Sequence, residues 1–155
     1  HSMMAARAAR KATEGSLVMQ KIARSGAADI ARGSAWLRHQ PQRFQDDVLV
    51  RMVPRRFCKD EIICHAGDPC EGLHLLTSGM LRMELPTAGD DFRTFSLRQS
   101  GFWFGQEALV PGAKNRFTVT CATDATALCL PLAEFEQLMS DPYHCRSMAA
   151  LMATI

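Results

Sequence analysis

Apolar residues recur along this chain at two spacings, and the change falls near Arg55. Before it the period is helical. Leu17, Ile22, Ala23 and Ile30 make a loose stripe that predicts a helix over residues 17–30, broken by Gly33-Ser34. Residues 1–15, rich in Ala, Arg and Met, read as a frayed helix or a disordered arm. Ser34-Ala35-Trp36-Leu37 starts a short helix that ends near Gln40-Pro41. Phe44, Val48, Leu49 and Met52 then share one face of an amphipathic helix, which Pro54 is expected to close.

After Arg55 short alternating runs are separated by turn residues. RRFCKDEIICHAGD reads as two strands around a Lys59-Asp60 turn, followed by a second turn at Gly67-Asp68. Residues 72–77 are apolar and strand-like, Ser78-Gly79 reverses the chain, and residues 80–85 alternate. TAGDD at 87–91 reads as a hairpin loop with a return strand over 92–97. Residues 118–122 and 125–130 make a further hairpin around Thr123-Asp124. Pro131 opens a helix over 132–140 with Phe135, Leu138 and Met139 on one face. Short strands at regular spacing, flanked by helices, predict an α+β class: a small antiparallel β-barrel or jelly roll with N- and C-terminal helices.

Composition narrows the function classes. The chain has 155 residues, 47% of them hydrophobic and 22% charged, enough for one domain with a real core. The net charge of +2 gives no argument for nucleic-acid binding. No window reaches the ~18 apolar residues of a membrane span, and no signal-peptide pattern opens the chain. The six cysteines contain no CxxC pair, so they read as reduced thiols of a cytoplasmic protein and not as a disulfide framework or metal clip.

The stretch FWFGQEALVPGAKNRFTVTC (102–121) carries the candidate chemistry. Together with RRFCKDEIICHAGD and GLHLLTSGMLRM, in that order and spacing, it resembles the cyclic-nucleotide-binding domain, most of all that of bacterial Crp/Fnr-type transcriptional regulators. The resemblance covers Trp36 to Met139 and implies a ligand site at Gly105, Gln106, Glu107, Ala108, Leu109, Arg116, Phe117 and Thr118. Gly105 permits positive φ and close approach to a ligand. Residues 106–109 would form a short helix with N–H groups toward an anion, and Ala108 and Leu109 would anchor it to the core. Arg116 would hold the exocyclic phosphate oxygens, and Thr118 would offer its hydroxyl or N–H. The resemblance implies cyclic AMP or cyclic GMP as effector and no metal.

Two positions depart from the family pattern. Family members usually read the ribose 2′-hydroxyl with a glutamate directly after the glycine; here that residue is Gln106. An amide still donates and accepts, but loses charge assistance worth on the order of tenfold in affinity. Phe117 stands where a small residue usually follows the arginine. Glu107 fits a solvated or structural carboxylate better than a displaced ribose ligand.

The remaining polar residues form no second site. His65 and His74 suggest a cupin-type metal centre, yet the H-x-H pair with a following glutamate is missing. Trp103 and Phe104 read as barrel core, Arg55-Arg56 as a solvated strand edge, and Met139, Met148 and Met152 as helix packing. Ser78 and Ser100 lie in turns with no His and carboxylate in a recognisable order, so no enzyme is expected. The organisation expected is an arm and helix over 1–33, the cyclic-nucleotide-binding-like barrel over 34–140, and over 141–155 the start of a truncated C-terminal helix. That helix would make a homodimer, and DNA would be contacted only by a domain outside this chain. The expected function is ligand sensing in a transcriptional regulator. The alternative is a degenerate cassette that binds no nucleotide and serves as a dimerisation or protein-interaction module.

Overall fold

The computed structural model describes residues 3–7, 26–86 and 94–153. The TAGDD loop, the beginning of its return strand and most of the predicted 17–30 helix lie outside the described residues. The rest of that helix is present as α1 over 26–33, ending at the expected Gly33-Ser34 break. A 3₁₀ turn at Leu37–His39 leads to α2, Gln42–Arg51.

Pro54 does not close α2. The helix stops at Arg51, Met52 turns to extended backbone, and Pro54 lies inside β1, Val53–Phe57. β1 is an edge strand, where a residue without an N–H is tolerated. The other strands are β2 Ile62–Cys64, β3 Gly72–Ser78, β4 Leu81–Leu85, β5 Thr94–Arg98, β6 Trp103–Phe104, β7 Thr118–Cys121 and β8 Ala125–Pro131. They form two four-stranded antiparallel sheets of order β1-β8-β3-β6 and β2-β7-β4-β5, the jelly-roll arrangement. α3, Leu132–Met139, follows β8 directly, and a 3₁₀ turn at Pro142–His144 leads into α4, Cys145–Met152.

The two strand patterns in the sequence have two different burials. β4 alternates between buried Leu81 and Met83 and exposed Arg82, because one face of its sheet meets solvent. β3 is buried along six consecutive residues, because its sheet is covered on both faces. On one face Leu73, Leu75, Leu128 and Leu130 pack against Trp36, Phe44, Val48, Phe135, Leu138 and Met148 from the helices. On the other, Leu76, Ala125 and Ala127 meet Leu81, Met83, Val119 and Cys121 from the second sheet. The site grows from the strand where these two clusters meet.

Candidate functional site

β6 is only two residues long, and successive side chains of a strand point to opposite faces. Trp103 therefore enters the helix-side cluster and Phe104 the sandwich interior. Trp103 is core, as its sequence context suggests, but among the helices: its Nε1 donates to Ser34 Oγ at 2.9 Å, and its ring meets Trp36 edge-on at 4.9 Å. With both rings anchored, the next residue has a fixed direction. Gly105 is left-handed at φ 89°, and a Cβ there would collide with the Gly72 carbonyl oxygen. Only glycine satisfies both conditions.

From this pivot residues Gln106–Leu109 form a single 3₁₀ turn. Ala108 and Leu109 pack toward the helix-side cluster, while Gln106 and Glu107 face an open cavity of about 550 Å³. Gln106 Nε2 donates to the Trp103 carbonyl at 3.0 Å. Glu107 Oε1 accepts the backbone N–H of Arg116 at 3.0 Å, so the carboxylate ties the 3₁₀ turn to the arginine segment. The 65–69 loop holds that segment from the other side. Asn115 N donates to Asp68 O, Gly67 N donates to Asn115 O, and Asn115 Nδ2 donates to His65 O. Thr118 Oγ1 accepts from Ala66 N at 3.0 Å, which commits its hydroxyl oxygen to the same loop.

Arg116 thus reaches the cavity on a backbone fixed at both ends. Its guanidinium lies over the Phe117 ring, 5.6 Å from the centroid. Phe117 lines the cavity and packs against the sandwich interior, so it serves as a platform under the arginine. Of the eight site residues expected from the sequence, Gly105, Gln106, Glu107, Arg116 and Phe117 line this cavity. Ala108, Leu109 and Thr118 stand behind it as support.

The inner face of the second sheet supplies the far wall. The registers Met83↔Ser96, Leu81↔Arg98 and Met83↔Val119 put Ser96 and Arg98 on the same face as Met83. Both line the cavity, and the Arg98 guanidinium sits 4.9 Å over the Phe102 ring. Sequence reasoning missed this pair. The available signal was parity, since Ser96 and Arg98 share the inward phase of β5, but that phase is set by β4 and not by β5 itself. Trp36, just before the 3₁₀ turn at Leu37–His39, and Met152 of α4 complete the rim.

Burial shifts the titratable groups nearby toward their neutral forms. Burial pushes the Cys64 thiol up to about 12, and raises Cys70, Cys121 and Cys129 as well. All six cysteines are free. His74 is buried and stacks on Phe104 at 4.8 Å. Burial, with a smaller contribution from Arg55, depresses its pKa to about 4. His65 is exposed, and the described residues contain no group of three or more His, Cys, Asp or Glu side chains that could hold a metal ion. No helix among them is long and apolar enough to cross a membrane.

The model of one protein family, the cyclic nucleotide-binding domain, matches residues 54–141 of the chain. Comparison with curated proteins gives no match. Several solved structures share the fold. A Ruegeria pomeroyi protein assigned to cyclic nucleotide binding superposes with a TM-score of 0.72 at 21% identity, over 84% of this chain and 58% of that one. The catabolite activator protein of Thermus thermophilus gives 0.67 at 22% identity, over 78% and 57%. The regulatory domain of Toxoplasma gondii PKA, crystallised with cAMP, gives 0.65 at 21% identity, over 74% and 44%. At these identities the likeness is one of fold, and the chain spans less than two thirds of the length of each of these proteins.

Proposed function

This chain belongs to the cyclic nucleotide-binding domain family, and we propose that it is the sensor of a bacterial Crp/Fnr-type transcriptional regulator, with a cyclic nucleotide bound in the 550 Å³ cavity. The observation that carries this is the joint placement of Gly105, Gln106 and Arg116 on one cavity wall, with Arg116 tied to the 3₁₀ turn through Glu107. Arg116 would give its guanidinium to the cyclic phosphate, where a charge-assisted bond is strongest. The Gln106 amide nitrogen is engaged by Trp103, which leaves the amide oxygen to accept from the ribose 2′-hydroxyl. The domain's work is binding, without catalysis. DNA would be reached through a further domain, and a second copy through the C-terminal helix, whose Met152 is 44% exposed beside the cavity.

A second reading, an interaction module that binds no nucleotide, draws support from that Gln106–Trp103 bond, since it ties one of the two amide hydrogens of a residue already lacking a charge to the protein's own backbone. Isothermal titration of the protein with cyclic AMP and cyclic GMP separates the two. Binding of either is expected, with loss of measurable affinity in Arg116→Ala and about tenfold tighter binding in Gln106→Glu. No heat from either nucleotide at about millimolar concentration, with the protein folded, would leave the interaction module as the better account.

A further inference from the structure

The cavity holds more positive charge than a cyclic mononucleotide can neutralise. Three cationic side chains line it, Arg98, Lys114 and Arg116, against one carboxylate, Glu107. That carboxylate is turned to the backbone N–H of Arg116. Among the described residues none of the three cations has a carboxylate partner. A single phosphodiester carries one negative charge.

The two arginines also start from separate parts of the sheet. Strand order places β4 between β5 and β7, so Arg98 lies two strands from the segment that carries Arg116, about 10 Å across the sheet. Arg98 is level with Leu81, and Leu81 is level with Cys121, five residues beyond Arg116 along the chain. Each guanidinium rests on its own phenylalanine, Phe102 or Phe117, which holds it in place before a ligand arrives.

Building on the nucleotide site proposed above, we infer that the preferred ligand carries two phosphate groups held apart, one met by Arg116 and the other by Arg98. Two kinds of molecule have this chemistry: a cyclic dinucleotide, and a mononucleoside with phosphates on two positions. Titration calorimetry on the whole chain tests the idea with cyclic AMP, cyclic di-AMP, cyclic di-GMP and adenosine 3′,5′-bisphosphate as probes. At least one two-phosphate probe should bind about tenfold tighter than cyclic AMP, the worth of one charged hydrogen bond. Which probe wins assigns the source. Arg98→Ala should cost that probe about tenfold and cyclic AMP several-fold less, and Arg98→Lys should recover part of the difference. Cyclic AMP binding as tightly as every two-phosphate probe overturns the inference and leaves the sensor function standing. Equal losses for both ligand types in Arg98→Ala overturn it too. No binding by any probe removes the nucleotide site itself, and this inference with it.

Discussion

His74 shows what burial does to a single side chain. The residue is 3% exposed and stacked on Phe104, and its ring nitrogens make no well-formed hydrogen bond among the described residues, the Gly72 backbone offsetting only part of the burial. With a folded pKa near 4 against 6.5 for the free group, the native state resists a proton that the unfolded chain accepts. The stability that depends on a neutral His74 is therefore complete above about pH 6.5 and falls as the pH drops toward 4. The shift corresponds to a loss on the order of 3 kcal/mol. Urea melts at pH 7 and pH 4.5 should show His74→Leu losing less stability on acidification than the wild type. An acid loss of the same size in both would remove His74 as its cause. Glu107 makes the complementary point. Its identity suggested a solvated or structural carboxylate, and its partner in the fold, the N–H of a residue nine positions on, is a fact of the folded loop. Arg98 was not legible as a site residue, because nothing local distinguishes it from any other strand arginine.

The element that defines the site is the turn from β6 through Gln106–Leu109. Its geometry depends on Gly105, where positive φ and the approach of the Gly72 carbonyl leave no room for a Cβ. Gly105→Ala is expected to cost more than about 1 kcal/mol in conformational strain alone, with the collision added to it. It should lower the thermal midpoint and weaken nucleotide binding together; an unchanged midpoint would show that the turn relaxes freely. Most elements were visible in the sequence because each has its own period and punctuation. α2, β3, β4, β8 and α3 follow their apolar spacing closely. Pro54 departs from its local signal for a physical reason. A proline reads locally as a helix stop, yet it is equally at home on an edge strand, and edge status depends on β8 as its neighbour.

At the scale of the molecule, one sheet serves two cores. Leu73, Leu75, Leu128 and Leu130 bind it to the helices, and Leu76, Ala125 and Ala127 bind it to the second sheet. Loss of either layer strips a face of β3 and β8, so the domain should unfold as one unit. Phe135→Ala, fully inside the helix-side cluster, is expected to cost about 3–5 kcal/mol. Both tryptophans sit in that cluster, so their fluorescence reports the helix layer, while far-UV circular dichroism reports the whole. The two signals should shift together in urea, and separate transitions would contradict a shared sheet. The chain's own order of residues determined the periods, the turns, and the glycine-to-arginine cassette, because these depend on neighbours within a few positions. Only the tertiary structure decided which residues face the cavity. Arg98 and Ser96 reach it through strand register, Trp103 leaves the sandwich for the helices, and Ala108, Leu109 and Thr118 fall behind the wall. Each of those placements is set by pairing between distant segments, and a one-residue change of register would reverse every face.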